Sequence, residues 1–588
     1  MESKGMSNGH EIFSEKRIMK GEEIEVFYRQ ARTPVDPEEG LDLSKLEGIA
    51  STAHGFCAKF NQRTYMTEDG LICEQDVPVI LRDGTKIYTD IYRPNTTEKV
   101  PVLISWSYYG KRPGDGMSEW QVMGVAPGTI STMAKFESPD PGFWCHNGYA
   151  IANVDPRGTG HSEGDIDMFG SIDAQDGYDF IEWVAQQPWC SGKVGMGGNS
   201  CVAMTQVRIA ATQPPHLACI APWEATCDIY RESIYEGGIP ALSFNEFIVA
   251  SLTGPNKIDD QVENGRRYPL MNGYWEDKIP DFKKIRIPVY ACASWQHFHL
   301  HGSFNFFRKI RSTKKWMRAH REQEWPDLYN TAHAMDLKNF YDRFLKDVHN
   351  CFEMTPRYRI EVMDAYDYDY QTDRPEKEFP LARTQYKKLY LNAADGSLNW
   401  ENPAVESKVS YESNTEQVNF DIKFEEDTEI TGYMKLRMWV EADGHDDMDL
   451  FITIKKLDED GNWLPTSILG EPHPGTWGKL RVSHRELDPK LSTDFEPVLS
   501  HKRELKLKKG EIVPVDIALV PTSWIWHKGQ QLRVEVAGRY IREGWFEPLT
   551  WETDNHGQHI IHTGGQYESY LQIPVIPPKY KAGDYTYR

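Results

Sequence analysis

The sequence predicts an α/β domain built on a parallel, doubly wound sheet, followed by a β-rich C-terminal domain. Up to about residue 350, apolar runs typical of buried strands alternate with amphipathic stretches typical of helices, as in Val100–Trp106 and Asp173–Gln187. Beyond that point, short strand-like runs such as Gly432–Glu441 and Gln531–Ala537 follow one another without a helical pattern. The two patterns divide the chain near residue 350.

Length and composition restrict the class of protein. At 588 residues the chain is too long for one hydrophobic core, and 39% hydrophobic residues indicate a globular protein. A net charge of −22 argues against nucleic acid or an anionic membrane as a partner, because both would repel an acidic surface. No apolar run has transmembrane length, the N-terminus is polar without a secretory signal, and nine scattered cysteines indicate reduced thiols. We therefore expect a cytoplasmic protein.

The α/β part begins with two alternating runs, Glu74–Leu81 and Lys86–Tyr92, whose Asp-Gly turn predicts a β-hairpin. Buried strands are predicted at Val100–Trp106, Tyr149–Val154 and Leu217–Pro222, with helical patterns between them. Strands that alternate with helices indicate a parallel sheet.

The predicted domain boundaries follow changes of pattern along the chain. Aromatic-bearing helical segments broken by turns come after the strand Leu217–Pro222, where such sheets carry a cap over the active site. The segments are an N-terminal extension (1–72), the α/β domain (73–224 and 284–350), a helical cap (225–283) and a C-terminal β domain (351–588). The cap aromatics expected to shape an apolar pocket are Tyr230, Tyr235, Phe244, Phe247, Tyr274 and Trp275.

The stretch Lys193–Met204, read KVGMGGNSCVAM, carries the chemistry that the sequence indicates most clearly. The stretch begins with an apolar run, continues into a glycine-rich turn with Ser200 at its apex, and ends in a helix-forming run. This order is typical of a nucleophile elbow in an α/β-hydrolase. Gly198 meets the need for a residue without a side chain near so tight a turn. The alternative interpretation is an ordinary strand–helix turn with a capping serine.

Several motifs resemble the cocaine esterase and X-prolyl dipeptidyl peptidase family of serine hydrolases (CocE/NonD-like). They include RDGTKIYTDIYRP, SYYGK, NVDPRGTGHSEG, GYDFIEWVAQQPWCSGKVGMGGNS, FYDRFLKD and DMDLFITIKKLDEDG. The resemblance runs in order from Glu74 to Val575. It implies an α/β-hydrolase sheet with an inserted helical cap and a C-terminal jelly roll, acting on ester or amide bonds without a cofactor.

A serine nucleophile needs a base and an oxyanion hole. His320 follows the last predicted strand of the sheet, where this fold carries its histidine, and the family's histidine falls there too. The elbow places the Cys201 N–H as one oxyanion donor. The resemblance of SYYGK implies the hydroxyl of Tyr109 as the second donor, whereas Tyr108 is expected to pack in the core.

The acid of the triad is missing from its expected place. The family carries it in a Trp-x-Asp motif, but this chain reads Trp295-Gln296-His297, with no Asp or Glu between Ile285 and Glu322. A histidine cannot replace a carboxylate that orients a protonated partner. The candidates for a relocated acid are Glu224 first, then Asp228 and Asp327.

Histidines at 297, 299 and 301 alternate on a segment predicted to be extended, which would turn them to one face. A metal site would need a further thiol or carboxylate ligand, and none is near in sequence, so we predict no metal. His297 and Trp295 are instead interpreted as substrate-contacting residues of the pocket wall.

Three functions remain open from the sequence. The first is a serine hydrolase that cleaves an ester or amide bond of a small or peptide-like substrate through an acyl-enzyme on Ser200, with His320 as base. The second is acyl transfer or another non-hydrolytic reaction in the same pocket, and the third is a catalytically inactive relative that binds a ligand. Esterase and peptidase activity are not separated, and a homo-oligomer is compatible with the sequence.

Overall fold

The computed structural model describes residues 3–7, 10–33, 59–112, 123–540 and 549–578. The chain forms two compact units. The first comprises Met1–Ile234, Leu242–Arg318 and Glu322–Thr355; the second comprises Tyr235–Ala241, Ala319–Arg321 and Pro356–Arg588. Within the described ranges, no helix combines the length and the apolar character needed to cross a membrane.

The first unit is built on one central sheet. The order of its neighbouring strands is Arg63–Met66, Ile72–Ile80, Lys86–Arg93, Ala150–Asp155, Val100–Trp106, Cys190–Asn199, Leu217–Trp223 and Val289–Ser294. The pairings up to Ala150–Asp155 are antiparallel and those after it are parallel, which confirms the predicted hairpin and the parallel sheet. Every residue of Val100–Trp106 is buried, as a continuous apolar run requires when helices cover both faces.

Helices and short strands fill the spaces around this sheet. The helices are Pro141–His146, Ser171–Ala185, Cys201–Ala211, Leu242–Ser251, Gln261–Arg267, Gly273–Asp277, Leu300–Lys309, Glu324–Leu328 and Thr331–Leu345, with a π-helix at Tyr230–Ile234 and 3₁₀ turns at Phe282–Lys284 and Phe352–Met354. A further strand, Lys315–His320, follows the helix Leu300–Lys309. Several helices begin at a capping side chain, for example Asp260 and Asn330, which accept backbone N–H groups of the first turn.

The N-terminal extension contains strands that the sequence did not predict. Ser3–Ser7, His10–Met19 and Glu22–Gln30 form an antiparallel sheet, whose last strand pairs with Lys257–Asp259. The guanidinium of Arg29 binds two carboxylates there, Asp260 at 2.6 Å and Glu246 at 2.8 Å. His10–Met19 and Glu22–Gln30 pair with each other as a local hairpin, and their high content of charged residues hid the strand pattern in the sequence.

A fully buried ion pair joins two residues of the segment predicted as a cap (225–283). The ammonium of Lys278 binds the carboxylate of Asp259, and neither side chain is accessible to solvent. Asp259 also accepts hydrogen bonds from the Tyr274 hydroxyl and the Asn264 amide, while Lys278 donates to the Met168 carbonyl at 2.7 Å. Such a pair adds little net stability over apolar residues, but removing one partner leaves an uncompensated buried charge.

We therefore expect Lys278→Met to lower the free energy of unfolding of the first unit by about 3–5 kcal/mol, measured by urea denaturation. The exposed Lys283 offers a matched control, because Lys283→Met should change the free energy of unfolding by less than about 0.5 kcal/mol. A combined Asp259→Asn and Lys278→Met variant should recover part of the loss. Equal stability of Lys278→Met and Lys283→Met would contradict the role given to the pair.

The second unit is β-rich, as predicted for the C-terminal part. Its strands are Tyr235–Glu236, Ile239–Pro240, Tyr358–Met363, Asp369–Glu376, Gln385–Asn392, Ser397–Asn399, Ser407–Glu412, Gln417–Lys423, Thr428–Asp443, Asp449–Leu457, Thr466–Ile468, Glu471–His473, Thr476–Arg481, Val513–Trp526, Gln531–Ala537, Gln558–Thr563 and Tyr570–Ile576. The long strand Thr428–Asp443 pairs antiparallel with Val513–Trp526 and with the last two strands. The segment predicted as a cap is divided, because residues 235–241 belong to this unit.

Candidate functional site

Ser200 lies at a strained turn between the strand Cys190–Asn199 and the helix Cys201–Ala211. Its φ is 53° and its ψ is −123°, a conformation that a residue with a side chain rarely adopts. At Gly198 a Cβ atom would lie 2.4 Å from the Glu137 carbonyl oxygen and 2.7 Å from the Val202 side chain. The predicted strand–turn–helix is confirmed, and its glycine is required by close contact as well as by its positive φ.

The two predicted oxyanion donors lie beside the elbow. Cys201 is the first residue of the helix that follows Ser200, so its N–H is one of the donors without a partner inside the helix. The hydroxyl of Tyr109 is in hydrogen-bonding contact with the thiol of Cys201, and burial raises the pKa of Tyr109 well above its usual value. Tyr108 has a structural role, since its hydroxyl donates to Asp173 at 2.8 Å and accepts the Phe169 N–H at 2.9 Å.

Two buried carboxyl groups that the sequence did not indicate as functional lie next to the elbow. The carboxyl of Glu137 faces the side chain of Ser200 and the N–H of Cys201, and its Oε1 accepts the indole N–H of Trp325 at 3.2 Å. Burial, and then the nearby charge of Glu324, raises the pKa of Glu137 well above its usual value. Burial raises the pKa of Glu324 to about 8, although an interaction with the Asn199 side chain opposes this.

The histidine segment is a turn rather than the extended run that was predicted. The strand ends at Ser294 and a helix begins at Leu300, so the side chains of 297, 299 and 301 do not share one face as they would on an extended strand. His297 and His299 nevertheless lie together, with ring centroids 4.6 Å apart, and His301 is directed to Glu232 instead. The prediction failed because a tight turn brought two of the rings to one side and the helix turned the third away.

Glu324 is the carboxyl group that these two histidines share. Its Oε1 is 3.3 Å from His297 Nε2, and its Oε2 is 3.9 Å from His299 Nδ1. The backbone N–H of His299 donates to His297 Nδ1 at 3.2 Å, so a neutral His297 carries its proton on Nε2, facing Glu324. Burial lowers the pKa of His299 well below its usual value, which keeps this ring uncharged.

Among the described residues, two groups of side chains that each lie within one unit have spacing that could suit a metal ion. In each, the potential ligand atoms lie within 4.8 Å of one another; the groups are His297, His299 and Glu324, and His445, Asp554 and His556. The tautomer of His297 makes the first group a hydrogen-bonded imidazole–carboxyl pair, because the Nε2 that faces Glu324 bears a proton. We assign no metal to these groups.

The three candidates for the triad acid have different surroundings. Glu224 directly follows the strand Leu217–Trp223, has a positive φ of 58° and is buried, and its N–H donates to the Cys292 carbonyl at 3.0 Å. Asp228 instead binds Arg231 at 2.7 Å. Asp327 binds the guanidinium of Arg318 through both oxygens, so it braces its loop.

His320 is the final residue of the strand Lys315–His320 and is almost fully buried. Of the acid candidates, Glu224 is the one that directly follows a strand paired with the elbow strand Cys190–Asn199.

The predicted pocket residues differ in what they contact. Trp295 is buried and stacks on Phe304, with ring centroids 5.2 Å apart. Tyr230, Tyr274 and Trp275 are fully buried and pack on one another, so these three aromatics form part of a core rather than a pocket surface. The hydroxyl groups of the two tyrosines form hydrogen bonds inside the protein: Tyr230 donates to a backbone carbonyl and Tyr274 donates to Asp259.

Two family models match the chain. Residues 83–263 match that of the X-Pro dipeptidyl-peptidase (S15 family), and residues 350–572 match that of the X-Pro dipeptidyl-peptidase C-terminal non-catalytic domain. The first range includes the elbow and Glu224, and the second lies in the β-rich unit.

Among solved structures, a CocE/NonD family hydrolase from Staphylococcus aureus is 37% identical, with a TM-score of 0.82 over 86% of this chain and 94% of that one. An aminopeptidase from a marine sediment archaeon shares the fold, with a TM-score of 0.65 and 14% sequence identity. The match covers 88% of this chain and 99% of the aminopeptidase chain. The cocaine esterase of Rhodococcus sp. (strain MB1 Bresler) is 30% identical over 29% of this chain. The chain spans only 27% of the length of that esterase.

Proposed function

Given that this chain belongs to the CocE/NonD family of serine hydrolases, we propose that it cleaves an ester or amide bond through a covalent acyl-enzyme on Ser200. The observation that carries the proposal is the backbone of Ser200. A φ of 53° at a buried strand–helix turn is costly, and such strain recurs where a nucleophile must project from a sheet edge.

In the proposed mechanism, His320 takes the hydroxyl proton of Ser200 as the serine attacks the substrate carbonyl, then returns it to the leaving group. Glu224 replaces the missing Trp-x-Asp acid and orients His320. Its place directly after the strand that pairs with the elbow strand supports this role, and so do the arginine partners of Asp228 and Asp327. The N–H of Cys201 and the hydroxyl of Tyr109 stabilise the oxyanion.

The proposed substrate is a small or peptide-like ester or amide. We place His297 and Trp295 in the wall of its pocket, together with Phe244, which contacts Phe298 beside His297 at 5.4 Å between ring centroids. We further propose that the helices Leu242–Ser251 and Gln261–Arg267 act as a cap, and that the β-rich unit is a jelly roll.

Covalent labelling tests the nucleophile directly. We expect a fluorophosphonate probe to add its mass once to the wild-type protein and not to Ser200→Ala, as measured by intact-mass spectrometry. Labelling of Ser200→Ala at the same rate would show that another residue is the nucleophile. No labelling of the wild type across the pH range in which it stays folded would favour the alternative of an inactive ligand-binding relative.

A substrate panel then separates the remaining activities. Aryl esters and X-Pro amides should be compared at equal concentration, and each reaction repeated with an added amine or alcohol acceptor. Release of free acid at the same rate with and without acceptor supports hydrolysis. Product that appears only as the acceptor conjugate supports the acyltransferase alternative.

A further inference from the structure

Glu137 occupies an unusual position for an acidic residue. It lies in the loop before the helix Pro141–His146, has a φ of 60°, and is 2% exposed. Its carbonyl oxygen accepts the N–H of Asn199 at 3.1 Å, so the loop is fixed to the last residue before the nucleophile. Its carboxyl group is therefore held against the elbow by the backbone as well as by packing.

The hydrogen bonds of this carboxyl group indicate where its proton lies. Oε1 accepts the indole N–H of Trp325 at 3.2 Å, and Oε2 is inaccessible to water. The carboxyl group also interacts with the side chain of Ser200 and with the N–H of Cys201, and these two contacts oppose the rise in its pKa. A proton on this carboxyl group would therefore lie beside the nucleophile and the first oxyanion donor.

The charges around Glu137 favour its neutral form. The titratable groups that face it are Glu324, Cys201, Tyr109 and Tyr329. None of them is a cation, and burial raises the pKa of each, so the thiol and the two phenols stay protonated. Burial therefore outweighs the interactions with Trp325, Ser200 and the Cys201 N–H, which favour the carboxylate.

We propose that Glu137 is a further catalytic residue of the proposed reaction: its uncharged carboxylic acid donates a hydrogen bond to the substrate carbonyl oxygen, beside the N–H of Cys201. This inference rests on the proposed function, because it needs Ser200 to be the nucleophile. The proton stays on Glu137 throughout, and no bond to it breaks. A donor fixed before reaction stabilises the developing oxyanion without reorganisation, and removal of one such donor typically lowers kcat by about 10²- to 10³-fold.

Two substitutions at this position separate a donor from a merely structural side chain. Glu137→Gln keeps the size and an N–H donor but cannot ionise, so it should keep kcat within about tenfold of wild type. Glu137→Met fills the same space without a donor and should lose about 10²- to 10³-fold in kcat with little change in KM. Equal losses in the two variants, with both folded, would overturn the proposal.

The pH profile provides a second, independent readout. Because the donor is the protonated acid, kcat/KM of the wild type should fall as pH rises through the raised pKa of Glu137, and Glu137→Gln should lack this fall. Glu324→Gln removes the like charge that raises the pKa of Glu137, so the alkaline fall should move to lower pH. An unchanged alkaline fall in Glu137→Gln would contradict the assignment.

Failure of this inference can be distinguished from failure of the proposed function. If wild type and Glu137→Gln both take up the fluorophosphonate on Ser200 but the Gln and Met variants are equally impaired, the nucleophile stands and the donor role of Glu137 is wrong. If the folded wild type is neither labelled nor active, the proposed function itself fails.

Discussion

Replacing Ser200 by alanine is expected to lower kcat for the best ester substrate by roughly 10⁵- to 10⁶-fold, because no other group can form the acyl-enzyme. The residual rate would come from the oxyanion donors and from substrate binding alone. The measurement is steady-state hydrolysis of an aryl ester, with the thermal midpoint recorded to show that the variant is folded.

Ser191, exposed on the same strand, provides the matched control. Ser191→Ala should retain full kcat, since its side chain lies away from the turn that holds Ser200. A Ser200→Ala protein that keeps more than about a hundredth of the wild-type kcat would show that another group attacks the carbonyl.

The second large effect is expected for Glu224→Gln, which should lower kcat by roughly 10³- to 10⁴-fold with an intact fold. A neutral amide cannot stabilise the protonated imidazole of His320 or hold it in the required tautomer. The loss should appear in kcat more than in KM, because the charge on the imidazole develops in the transition state.

Asp228→Asn is the comparison that makes this test selective. Asp228 is half of an ion pair with Arg231, so its amide variant should keep kcat within about tenfold. The reverse result, with Asp228→Asn inactive and Glu224→Gln active, would transfer the role of acid to Asp228.

The fold was largely predictable, because parallel strands buried on both faces show as continuous apolar runs. Val100–Trp106 and Leu217–Trp223 were recognised in this way to within a residue. The strands His10–Met19 and Glu22–Gln30 were not recognised, although they pair with each other as a local hairpin. Their many charged residues interrupt the alternation of apolar and polar positions that marks a strand.

The candidate site was predictable only where a motif fixes the local backbone. The elbow around Ser200 was recognised from its glycines and its helix. Glu137 was missed because a single glutamate in an irregular loop has no distinguishing pattern. Glu324 was missed for the same reason, because no pattern in the sequence indicates that a turn brings His297 and His299 to it.

The pairing of Arg29 with both Glu246 and Asp260 restricts how the helices of the proposed cap can move. The arginine joins an N-terminal strand to the helix Leu242–Ser251 and to the cap of the helix Gln261–Arg267. Outward movement of either helix would break ion pairs of the nearly buried Arg29 guanidinium, at a cost of several kcal/mol. Under the proposed role of these helices as a cap, admission of substrate should therefore rely on rotamer changes of individual side chains rather than on outward movement of a helix.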